Sequence, residues 1–462
     1  MRLAKIFSNG MVLQRNKPIK VFGTGKGEVT VSFLGDTVTL VTDKDNWQVE
    51  LPAHCEGGPY AMSVCMDGAT VEIKDIWIGE VWITSGQSNM SFMFWEMYRR
   101  GVAVTDFDEN DNLHYFRTTV DGNLNYDESN SGWVKCNKNN IMNIYAMLPY
   151  YFALKLQKKL DGIHVAVLNA SRGWTRIESW IPAKYIDGTD LDLDRSIKKL
   201  APSSDIPNGR LFEGYVRPFV PYVTNGLIWY QGESNSGIKE CEYYSGLLEL
   251  LISGWRKEFE DELPVLLVQL TGYGAGVKKD ASIEEKCEYN DDSQECCWAK
   301  IREQQTIASK KIKDVYMVTT IDTGEFYEIH PTGKDIIAER LAVAANNIIS
   351  NENDEYSGPI FESMRIEGKC AIITFSHAEK LYTDENLDYI CISGGDGVYY
   401  PAKHKVVNNE LVVYSDKVLS PKNVKYAFCN WACGGIFNEV GFPASSFRTS
   451  IPVCATVWIN NF

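Results

Sequence analysis

The chain has 462 residues, more than one hydrophobic core organises, so about three domains of ordinary size are expected. Its 61 acidic residues outnumber the 46 basic ones and leave a net charge of -15, which argues against nucleic acid and anionic membrane surfaces as partners. The opening MRLAKIFSNGMVLQRNKPIK lacks the apolar stretch of a secretory leader, and no apolar run approaches a bilayer span, so a cytoplasmic protein is expected.

From Ile6 to Ile76 short alternating runs (KPIKVFG, VTVSFLG, NWQVELP, YAMSVCM) are separated by glycines and prolines, the pattern of a small antiparallel sandwich over residues 1–76. Beyond residue 77 the texture changes to strands alternating with amphipathic helices: VWITS, YAMLPYYFALKLQKKL, IHVAVLNAS, GLIWYQ and YYSGLLELLISGWRKEFE follow one another. PVLLVQL and DVYMVTTID add two strands, and TGKDIIAERLAVAANNII a helix. Such alternation predicts a parallel sheet wrapped by helices, an α/β domain over 77–357. Alternation returns in CAIITFS, YICISGG, ELVVYS and KYAFCNW, so a second β-rich domain is expected over 358–462. The irregular stretch 271–298 between two strands reads equally as a solvated acidic loop or a lid.

Twelve scattered cysteines, with Cys296 and Cys297 adjacent, disfavour a disulfide framework. There is no CxxC, no HExxH and no glycine-rich phosphate loop, so neither a metal nor another cofactor is expected.

The chemistry gathers at the carboxyl ends of the predicted parallel strands, where open α/β sheets hold their ligands. GEVWITSGQSNM runs from a buried strand through Gly86 into Ser88, a candidate nucleophile. After HVAVLNA comes SRGWT, which offers the Gly173 backbone N–H. After GLIWYQ comes GESN, with the Asn235 amide; after MVTTID comes TGEFYEIHP, with His330 as candidate base. A nucleophile, a base and oxyanion donors are what acyl transfer requires.

GQSNM, SRGWT, GESN and IHP resemble the four blocks of the SGNH hydrolases. IFSNGMVLQRNKPIKVFG, GEVWITSGQSNM, GLIWYQGESN, REQQ, IHPTGK and FPASSFRTSIP are similar to the sialate O-acetylesterase family along nearly the whole chain. The resemblance implies an SGNH-type, flavodoxin-like parallel-sheet domain between β-rich flanks. It also implies Ser88 as nucleophile, His330 as general base, and an oxyanion hole of the Ser88 and Gly173 N–H groups with the Asn235 side chain. The implied substrate is an O-acetylated sugar or short oligosaccharide, sialic acid by the family's namesake activity. Two positions depart from the blocks. Tyr327 stands where many SGNH hydrolases carry an aspartate, so Glu328, Asp322 or a backbone carbonyl is left to orient His330, with Glu328 preferred; and Arg172, Gly173, Trp174, Thr175 alter the second block.

Arg172 and Arg176 could recognise a sugar carboxylate, and Trp174, Trp229 or Trp298 could stack on a sugar ring. Gln87, Arg172, Trp174 and Arg176 are the expected substrate contacts. Gln231 and Glu233 are expected to serve the turn's hydrogen-bond network, and Trp255 and Arg256 to pack a helix. An acetylesterase on xylan or other plant oligosaccharides, and a non-catalytic carbohydrate-binding protein, are the rival readings.

Overall fold

The structure, a computed structural model, describes residues 1–102, 107, 109–192, 205–237, 240–274, 297–385 and 387–450. The predicted segment 271–298 lies largely outside the described residues, and its reading as a lid is not addressed there.

The alternating runs of the first 66 residues form two antiparallel layers. In one, Ile19–Thr24 lies between Arg2–Leu3 and Asn46–Leu51. Every second residue of Asn46–Leu51 is buried, as one face on a core requires. In the other layer Gly27–Phe33 pairs with Asp36–Thr42 and Gly57–Met66. The hairpin turns at Leu34-Gly35 (φ 49° and 92°) and Asp67-Gly68 (φ 49° and 84°) use two consecutive left-handed residues, which match the twist of the strands they join.

The second of these turns leads into Ala69–Gly86, an 18-residue strand that serves two sheets. Its first half pairs antiparallel with Gly57–Met66, and its second half pairs parallel with Val165–Ser171 and Gly226–Tyr230. The expected domain boundary after residue 76 thus falls inside one strand. Buried side chains of both regions also form a single core cluster, from Ile6 to Ile360.

The central sheet runs Gly132–Lys135, Leu113–Arg117, Val165–Ser171, Ala69–Gly86, Gly226–Tyr230, Val265–Val268, Val315–Val318, all parallel except the first. Gly226–Tyr230 and Val265–Val268 are buried at every position, so both sheet faces are covered. Met147–Lys159 packs with Lys334–Ser350, and Tyr244–Phe259 with Cys297–Lys311. The chain builds to one side of Ala69–Gly86 and then to the other, which puts the switch of strand order at the end of that strand.

Beyond residue 358 two four-stranded antiparallel sheets, Ile360–Glu367 with its neighbours and Tyr399–Pro401 with its neighbours, enclose a second core cluster that includes Ile321 of the middle region. Cys55, Cys65, Cys136 and Cys370 are free thiols. No group of described residues could hold a metal, and no described helix is long and apolar enough to cross a membrane.

Candidate active site

At the switch point the strand ends on Gly86, with φ at 137°. A side chain there would place its Cβ 2.0 Å from the Tyr230 carbonyl oxygen, so the neighbouring strand leaves room only for glycine. Gln87 N then donates to that carbonyl at 3.1 Å, and Ser88 opens the short helix Ser88–Ser91. On the other flank Arg172 N donates to Gly86 O at 3.1 Å, which brings Gly173 against the serine. A Cβ on Gly173 would lie 3.4 Å from Ser88 Cβ. Among the described residues the Ser88 and Gly173 backbone N–H groups have no hydrogen-bond partner, so two donors stand unspent beside one hydroxyl.

His330 is brought to the same end of the sheet by Asn89, the residue after the serine. Asn89 Nδ2 donates to Ile329 O at 3.0 Å and to Glu233 Oε1 at 2.6 Å, while its Oδ1 accepts from Lys334 Nζ at 2.6 Å. The His330 ring stacks on Phe92, with centroids 5.2 Å apart and planes 16° apart. Ser88 Oγ and His330 are not hydrogen-bonded in this structure. Burial, with the nearby Lys334 and Arg100 cations, pulls the imidazole down to about 4 against the opposing charge of Glu328, so the ring is neutral at neutral pH. Burial likewise pulls Lys334 down to about 7, and pushes Glu233 up.

The two acids offered by the sequence are separated cleanly. Asp322 is held by Arg340 through bonds of 2.8 and 2.6 Å. Glu328 accepts from the His330 backbone N–H at 2.9 Å, and the same oxygen lies 3.7 Å from Nδ1.

Asn235 is turned inward. It is wholly buried, its amide nitrogen donates to Glu178 at 2.9 Å, and its oxygen accepts from Ile177 N and Gln231 Nε2. This corrects its expected place as an open oxyanion donor. Gln231 donates to Gln87 Oε1, Thr175 O and Asn235 Oδ1, the network role expected of it. Ser234 N also donates to Gln87 Oε1, which fixes the orientation of that amide. Gln87 Nε2 is left without a partner among the described residues.

Arg176 is also corrected: it is 3% exposed and bonded to Glu178 and Glu240 at 2.8 and 2.7 Å, so it cannot meet a sugar carboxylate. Arg172 is exposed and touches Tyr215 Oη at 3.3 Å. Trp174, with φ at 60°, is 62% exposed next to Gly173, whereas Trp229 and Trp298 are buried and cannot face a sugar. Trp255 donates to Trp180 O, and Arg256 binds the Leu263 and Lys313 carbonyls, so both pack as expected.

Three contributors escaped the sequence reading. Asn89 and Lys334 stand inside GQSNM and IHPTGK, and their motif membership was the only signal available. Arg100 lies outside any motif; its Nη2 reaches His330 Nδ1 at 3.3 Å and its Nη1 reaches Glu328 Oε2 at 2.9 Å.

A parallel sheet that gathers a serine, two free backbone donors and a neutral histidine at one end is a hydrolase domain of the SGNH type between β-rich flanks. Residues 78–345 match the family described as carbohydrate esterase, sialic acid-specific acetylesterase. The chain belongs to that family and is a carbohydrate esterase. It is 21% identical to the rat sialate O-acetylesterase over 94% of this chain and 90% of the relative, and 22% identical to the human one over 94% and 88%. A solved carbohydrate acetylesterase from Xanthomonas citri superposes with a TM-score of 0.81 at 27% identity, covering 98% of this chain and all of that one.

Proposed function

We propose that the chain is a serine esterase that removes O-acetyl groups from sialic acid through an acetyl-serine on Ser88. The supporting observation is that Ser88, two unpartnered N–H groups and a neutral His330 lie at the same end of the central sheet. The names of the curated relatives favour the sialate substrate over a plant oligosaccharide.

Ser88 Oγ attacks the acetyl carbonyl carbon while His330 Nε2 takes the hydroxyl proton. Negative charge gathers on the carbonyl oxygen, which accepts from the Ser88 and Gly173 N–H groups, with Gln87 Nε2 as third donor in place of Asn235. Collapse breaks the ester bond, and His330 returns its proton to the departing sugar oxygen. Water then enters by the same route and releases acetate. Trp174 supplies an exposed apolar platform beside the serine, and Arg172 a cation.

Acetate release from O-acetylated sialic acid by wild type and Ser88→Ala tests the assignment: activity present in the first and abolished in the second supports it. Hydrolysis of acetylated xylo-oligosaccharide alone would move the substrate to plant glycans, and equal activity in the variant would sink the nucleophile. Gln87→Ala is expected to lower kcat roughly a hundredfold with little change in KM, the cost of losing an oxyanion donor. Asn235→Ala should instead lower the melting temperature. The reverse pattern would return Asn235 to the oxyanion hole.

A further inference from the structure

Resting on the esterase reading, one contact at the site remains without a role in the chemistry. Arg100 follows the helix Phe94–Arg99, and its guanidinium lies over the Phe92 ring, 4.6 Å from its centroid. From there it makes three contacts to the histidine loop: Nη1 to the His330 carbonyl at 3.2 Å, Nη1 to Glu328 Oε2 at 2.9 Å, and Nη2 to His330 Nδ1 at 3.3 Å. Arg100 and Glu328 keep 32% and 33% of their side-chain surface, so the contact is reachable from solvent.

A guanidinium only donates, so Nδ1 accepts in this arrangement. A neutral imidazole that accepts at Nδ1 carries its proton at Nε2. That is the nitrogen left to face the substrate side, and with a proton on it the ring cannot take one from Ser88. The active tautomer needs the proton at Nδ1, directed at an acceptor. The acceptor at hand is Glu328, whose nearer oxygen is 3.7 Å away while the other is held by Arg100. Arg100 therefore occupies both groups that the working arrangement would join.

We propose that Arg100 is an anion-operated latch on the general base, drawn off His330 and Glu328 by the carboxylate of an acidic sugar. The substrate carboxylate takes the guanidinium as a partner in place of Glu328, a like-for-like exchange of one charge-assisted contact for another. Glu328 is then free to accept from Nδ1. The ring gives its Nε2 proton to water and receives one at Nδ1, so its charge and proton count are unchanged. His330 becomes a base only when an anionic substrate is seated. A neutral acetyl ester, which cannot draw Arg100 away, meets a site in which the competent form is the minor one, and its apparent rate falls by that fraction. Specificity for an acidic sugar then resides in turnover as well as in binding.

The test compares O-acetylated sialic acid with its carboxyl methyl ester on the full-length wild type and Arg100→Gln, with 15N-labelled histidine to report the His330 tautomer. Wild type is expected to favour the acid by roughly tenfold or more in kcat. In Arg100→Gln the two substrates converge because the methyl ester improves. The free wild type should show the Nε2–H ring and shift toward Nδ1–H on addition of N-acetylneuraminic acid, while free Arg100→Gln should already show Nδ1–H. Convergence through loss on the acid alone would make Arg100 a simple binding residue and overturn the latch, as would an equal fall on both substrates or an Nδ1–H ring in the free wild type. Activity that survives Ser88→Ala would remove the underlying assignment of Ser88 as nucleophile and the latch with it; activity that depends on Ser88 isolates the latch as the part on trial.

Discussion

His330 is held neutral by burial and by two cations, and this fixes the sign of its pH response. A base must be unprotonated to act, so kcat/KM on the acidic sugar should hold from neutrality down to about pH 5 and fall as pH drops through about 4. In Arg100→Gln one of the two cations is gone, so the falling limb should move up toward the ordinary histidine value near 6.5. A limb that stayed in place would show that Arg100 contributes no field at the ring. At this scale the sequence was unevenly legible. The placement of Ser88, Gly173 and His330 at one end of the sheet could be read because each follows an apolar run whose end is a defined place in a parallel sheet. Arg100 could not, because His330 is 230 positions away and nothing local marks the pairing. Arg176 and Asn235 were misjudged for a related reason: Glu178 and Glu240, which draw them inward, announce themselves only once the chain is folded.

The elements that carry these residues are aligned by a few side chains that cross between them. Asn89 is the clearest case, since one amide joins the helix Ser88–Ser91 to the histidine loop, to GESN through Glu233, and to the helix Lys334–Ser350 through Lys334. Asn89→Ala frees the Ile329 carbonyl and leaves the Lys334 ammonium buried without this acceptor. It should lower kcat by roughly a hundredfold with KM little altered, because misplacing a base by about an ångström costs that much. Steady-state kinetics on the acetylated sugar decide this, and a change confined to KM would show that Asn89 does not set the histidine. The strands were legible because the central ones are buried on both faces and read as apolar runs. Their pairing order was not, since parallel neighbours such as Val165–Ser171 and Ala69–Gly86 are joined by no short turn.

At the scale of the whole molecule the C-terminal β-rich region rests on the helix Cys297–Lys311 through Arg302, which is wholly buried. Arg302 donates to Ser446 Oγ at 3.0 Å and to the carbonyls of Thr271, Ala427 and Cys429, and Gln269 Nε2 reaches Ser445 Oγ at 2.8 Å. Arg302→Met leaves those carbonyls without this donor, and should destabilise the protein by about 3 kcal/mol or more. Thermal or denaturant unfolding measures it, and a melting temperature within a degree or two of wild type would show that the two regions do not depend on this residue. The change of texture along the chain made the alternating, mixed and again alternating regions legible. The join near residue 76 was not, because the alternating texture ends there while the strand continues. That strand also bears on how such a protein can be inherited. Ala69–Gly86 carries the accessory sheet at one end and the turn to Ser88 at the other, so a genetic exchange between residues 70 and 86 would splice two halves of one strand. Lineages that trade the amino-terminal layers must cross over before the Asp67-Gly68 turn or take Ser88 along with them.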